Sequence, residues 1–147
     1  HQPHWVGHAC LYHQINMLSR LMHTHCPRLL LHLQAHDVLV DHFAVFWFRS
    51  LFISVFATKD VLRMLDRVVA STPDYLVFVA LCLLRRNQRH LLCIHSEGAL
   101  RECLLSPHTP KDIMRFLDDA AQLCVSHALV NPEGGVPSKD QPPCDRC

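Results

Sequence analysis

The sequence predicts an all-α chain, a helical bundle or array, and three observations carry that prediction. Half of the 147 residues are hydrophobic, enough for one domain with a core of its own. Only four glycines occur, two of them at 134–135, so a fold built on many tight β-turns is disfavoured. Apolar residues recur at helical spacings, and Pro, Ser and Thr fall where helices would start or stop.

Taken in order, Leu11, Ile15, Leu18 and Met22 repeat at spacings of four, three and four, which predicts an amphipathic helix across about 5–25. Pro27 interrupts it, and "RLLLHL" (28–33) starts a second, short helix. "HFAVFWFRSLFISVF" (42–56) has eleven apolar residues among fifteen. A membrane span needs about 20 largely apolar residues. Here Asp41 and His42 bound one end, Arg49 interrupts the run, and Lys59 and Asp60 close the other, so a core helix is expected. Thr58 is expected to cap a helix in which Val61, Leu62, Leu65, Val68 and Val69 share one face.

Thr72 reads as an N-cap with Pro73 at the first helical position and Asp74 near the positive helix end. Residues 75–84 are apolar all round, which predicts a central helix enclosed by others. Ser96 should cap 97–105. Thr109 and Pro110 should open the last helix, with Ile113, Phe116, Leu117, Ala120, Cys124 and Ala128 on its buried face. The domain is therefore drawn at 1–130. "NPEGGVPSKDQPPCDRC" (131–147) changes composition and is expected to be a flexible tail.

Charge and cysteine usage narrow the function. Fourteen Lys+Arg against thirteen Asp+Glu provide no basic field for nucleic acid or an anionic membrane. Six of the eight cysteines sit singly in apolar stretches, where cysteine behaves as a small hydrophobe, so a reduced, cytoplasmic protein is expected. The chain starts at His1 with no secretory signal pattern and reads as a fragment or trimmed product.

Nine of the thirteen histidines fall within the first 42 residues. His32 and His36 can share a helical face, but "HLQAH" lacks the glutamate of HExxH and a third ligand is not evident. Cys144-x-x-Cys147 has no partner pair. No metal, cofactor or catalytic site is expected. There is no G-x-S-x-G elbow, no phosphate loop and no dinucleotide fingerprint.

"LLLHL" (29–33), "WFRSLF" (47–52), "VLRMLDRVV" (61–69) and "YLVFVALCLLRR" (75–86) together resemble the C-terminal half of a TBC domain, the helical module of Rab GTPase-activating proteins. Trp47, Phe52, Leu62, Arg63 and Asp66 match family positions, Phe78 lies in the apolar helix, and Leu65 stands where the family usually has tryptophan. The resemblance covers about 29–127 and implies an incomplete TBC-type domain. Its six motif positions are expected to serve the fold, with Asp66 anchoring a helix junction.

Within the family, "DRVV" and "LVFVA" are more similar to the small TBC-type subunits of the tuberous sclerosis complex. That likeness implies a hamartin-like coiled-coil partner and a part in restraining Rheb and TOR growth signalling. TBC catalysis uses an arginine and a glutamine finger from the N-terminal half. No Ile-x-x-Asp-x-x-Arg occurs here, and Tyr12-His13-Gln14 lies only sixteen residues before "LHL". The expectation is a non-catalytic interaction module. The alternative is the C-terminal lobe of a Rab-activating enzyme whose partner is a small GTPase of Rab or Rheb type.

Overall fold

A computed structural model describes residues 4–72 and 74–131. Pro73 and the expected tail from 132 onward, with Cys144 and Cys147, lie outside the described residues. The chain is all-α: seven helices and, among the described residues, no strand. They are α1 (His4–His25), α2 (Pro27–Ala35), α3 (Asp41–Arg49), α4 (Thr58–Ala70), α5 (Tyr75–Leu92), α6 (Glu97–Leu105) and α7 (Ile113–Val130).

The apolar run of 75–84 does become the central helix. Every residue from Tyr75 to Leu84 is buried except Cys82, which is half-buried, because α5 packs against α1, α2, α3 and α7. Burial pushes the Cys82 thiol up to about 11, and does the same for Cys26 between α1 and α2. Both remain thiols near neutral pH, as expected of structural cysteines.

The 42–56 stretch is not one helix. It stops at Arg49, and 50–56 form turns instead. Leu51 and Phe52 take left-handed backbone conformations, with φ of 52° and 63°. The Phe52 N–H donates to the Trp47 carbonyl at 2.9 Å and the Leu51 N–H to the Phe48 carbonyl at 3.2 Å. This is a left-handed helix cap built without glycine. In a continued helix, Phe52 would sit roughly 140° around the axis from Trp47. The cap instead brings their rings to 6.0 Å, both fully buried. Burial of the two aromatics outweighs the local backbone cost, on the order of 1–2 kcal/mol per left-handed residue.

α2 ends by the same device. Asp37 has φ 58°, the Val38 N–H donates to Leu33 O at 2.8 Å, and the Asp37 N–H donates to Gln34 O at 3.1 Å. Leu33 and Val38 are both buried by the closure.

Several caps differ from expectation. Ala57, not Thr58, is the N-cap of α4, and no side chain closes that end. Thr72 does not cap α5, which begins at Tyr75 after Asp74; the Tyr75 N–H reaches the Thr72 carbonyl instead. Ser96 does cap α6, its Oγ accepting from the Ala99 N–H at 3.2 Å. Asp112, rather than Thr109, caps α7.

Candidate docking groove

Three of the six motif positions are buried and three are not. Trp47 sits fully enclosed between α3 and α6, with Phe43 at 4.9 Å. Its Nε1–H donates at 3.0 Å to Leu104 O, one of the carbonyls that a helix end leaves unsatisfied. Phe52 completes that cluster, and Phe78 is buried in α5. Leu62, by contrast, is 60 % exposed; Val61 and Met64 take the inward positions of α4. Of the expected face, Val61 is buried and Leu65 and Val68 pack partly buried against the core, whereas Leu62 turns outward and Met64, left out of the pattern, turns inward. Arg63 and Asp66 are exposed on the same helix. Asp66 makes no ion pair or side-chain hydrogen bond among the described residues, so the anchoring expected of it is absent there. The α4–α7 tie falls to Arg67, whose Nη2 lies 2.7 Å from Asp118 Oδ1.

A groove of about 1020 Å³ opens between α1, the start of α5 and the second half of α7. Met17 and Leu21 from α1, and Tyr75 and Phe78 from α5, supply its apolar floor. Tyr75 is held by its hydroxyl, which donates to Leu117 O at 3.0 Å; burial first, against the opposing pull of Arg67, pushes the phenol up to about 12. Phe78 packs on the His127 ring at 5.5 Å. At the rim, His13 Nε2 lies 3.4 Å from Asp74 Oδ1, and Arg20 and Thr24 line the α1 side.

The outer wall is unfinished. Ala128 was expected on the buried face of α7 but is exposed, and so is Val125, both lining the groove; Leu129 (77 %) and Val130 are exposed at the end of α7 but do not line it. α7 packs on α5 and buries Ile113, Phe116, Leu117 and Ala120; its last two turns keep His127 against Phe78 but leave Val125 and Ala128 exposed. Such a grouping of apolar side chains around a concave floor suits an amphipathic helix. Of the motif positions only Phe78 reaches the groove. The sequence signal for the outer wall was Val125, an apolar residue off the inward face of α7.

Tyr12 is exposed and Gln14 half-buried on α1, the helix that forms the groove's first wall. Among the described residues, no helix is long and apolar enough to cross a membrane.

This fold of short helices around an apolar central one is that of the GTPase-activating TBC module. Residues 7–92, more than half of the chain, match the family model of the Rab-GTPase-TBC domain, and the chain belongs to that family. The match takes in α1 and so begins earlier than the resemblance read from the motifs. Among known proteins, the human ecotropic viral integration site 5 protein homolog is 27 % identical over 81 residues, which is 55 % of this chain. The chain spans about a tenth of that relative's length, 10 %. Its fold is similar to the crystal structure of the Ypt/Rab-GAP domain of Gyp1p, with a TM-score of 0.72 at 24 % identity. That likeness covers 80 % of this chain and 38 % of the other.

Proposed function

We propose that this chain is a non-catalytic TBC-type interaction module whose groove receives an amphipathic helix from a hamartin-like coiled-coil protein, in a cytoplasmic assembly of the tuberous sclerosis type that regulates Rheb and TOR growth signalling. The observation that carries the reading is the groove: an apolar floor, a polar rim and an outer wall whose apolar residues have no partner among the described residues. Helix-in-groove recognition uses apolar anchors at i, i+3, i+4 and i+7 along the incoming helix. Two sequence features support a silent role: the missing arginine-finger motif, and the placement of Gln14 close before α2.

A second reading makes the chain the C-terminal lobe of a Rab GTPase-activating protein. It is favoured by the family match and by the Ypt/Rab-GAP domain that shares its fold. In that reading α3–α5 act as scaffold behind fingers carried elsewhere.

Titration of the chain with a hamartin coiled-coil segment by calorimetry separates the two, alongside single-turnover GTP hydrolysis by Rab and Rheb proteins. The proposal expects saturable binding, weakened at least tenfold by Val125→Glu, and unchanged GTP hydrolysis. Absent binding, or accelerated hydrolysis by the chain alone, would overturn it.

A further inference from the structure

The third histidine missing from the local sequence pattern is supplied by the fold. His32 and His36 lie one turn apart at the end of α2, and the loop after α5 delivers His95 to them. One ring nitrogen from each residue lies within 4.8 Å of the others. The ring centroids are 4.5 Å apart for His32 and His36, 5.5 Å for His32 and His95, and 5.8 Å for His36 and His95.

Two of these rings are held by backbone carbonyls. His32 Nε2 is 2.7 Å from Ile94 O, and His36 Nδ1 is 2.9 Å from His32 O. A carbonyl only accepts, so each of those nitrogens carries the proton. The lone pairs are left on Nδ1 of His32 and Nε2 of His36. Donation of the second ring N–H to a carbonyl is the usual support of a metal-ligating histidine, because it fixes tautomer and ring orientation. The Ile94 bond also holds the residue next to His95 against α2. The left-handed turn at Asp37 fixes the backbone beside His36.

We infer that His32, His36 and His95 form a binding site for a divalent transition-metal cation of the Zn²⁺ type, which clips the end of α2 to the α5–α6 loop. Imidazole nitrogen suits zinc, and three histidines leave the fourth tetrahedral position to water. Zn–N bonds of about 2.0–2.1 Å place tetrahedral nitrogens about 3.3 Å apart, so nitrogens within 4.8 Å of one another close by at most about 1.5 Å on binding. His95, the exposed member, can close its share of that distance by rotating its side chain. The clip joins residues some sixty positions apart in sequence, and therefore adds its binding free energy to the stability of the fold. It lies at the far end of the 18-residue α5 from the groove, so its loss leaves the docking surface in place.

The test is calorimetric titration with ZnCl₂ and absorption of the Co²⁺ form. It uses the full chain carrying Cys144→Ser and Cys147→Ser to remove the thiol pair at 144 and 147. The parent should bind one equivalent, and zinc at about 100 times its Kd should raise Tm by roughly 5–10 °C. His95→Gln and His36→Gln, each verified as folded by circular dichroism, should weaken binding at least tenfold and abolish the Tm rise. Undiminished binding in either folded variant would place the metal on other histidines and overturn the assignment. Absence of binding to the parent would overturn it equally.

Discussion

The corner between α3 and α6 and the C-terminal end of α7 both carry apolar side chains but use them in opposite ways. At the corner, Phe43, Trp47, Phe48, Phe52 and Phe56 are all buried, and their rings meet one another and Phe116. At the end of α7, Val125 stands open on the groove, and Leu129 and Val130 are exposed beyond it. The corner accepts left-handed backbone at two non-glycine residues to complete its packing. The α7 end makes no comparable concession, and its apolar surface is uncovered among the described residues. The first region builds the fold, and the second is the surface on which the proposed docking role rests.

If that division is right, substitutions should sort by region. The largest effect belongs to Trp47→Ala, which empties a fully buried site and deprives Leu104 O of its donor. Denaturant unfolding should show a loss of about 3–5 kcal/mol; a midpoint near that of the parent would place the indole outside the core. Next is Asn87→Leu. The Asn87 amide donates to Leu83 O at 2.8 Å and to His108 O at 3.0 Å, and accepts from the His108 N–H at 2.9 Å. Its removal strands the His108 groups and should cost about 2–3 kcal/mol, with faster hydrogen exchange around residues 106–110.

A gain is expected from Leu51→Gly. Leu51 holds φ 52° with a partly exposed side chain, so glycine relieves the left-handed strain and should stabilise by about 0.5–1 kcal/mol. Destabilisation would mean that the Leu51 side chain contributes more packing than its exposure suggests. The smallest effect belongs to Leu62→Gln, within about 0.5 kcal/mol of the parent in the same assay, since Leu62 faces solvent on α4. A larger loss would return α4 to the orientation its motif suggests.

The regions also differ in how far the sequence reveals them. Periodicity placed α1, α2 and the enclosed α5 well, because Pro27 and the apolar run of 75–84 are strong local signals. The end of α3 was illegible: no glycine marks the left-handed cap, and only tertiary burial of Phe52 against Trp47 selects it. Asn87 gave no signal either, since its partner carbonyl and N–H at His108 lie 21 residues away. The groove needed the relative placement of three helices, and the histidine cluster needed a loop 59 residues beyond His36. Motifs identified the family; they did not show which motif residues face inward, as Leu62 demonstrates.

Hydrogen exchange of the chain, with and without a saturating hamartin coiled-coil segment, tests the proposed docking role most directly. Added protection is expected only at residues 13–25 and 121–131, the two walls of the groove. Protection centred on α4 or on the α3–α6 corner, or no protection at all, would contradict it.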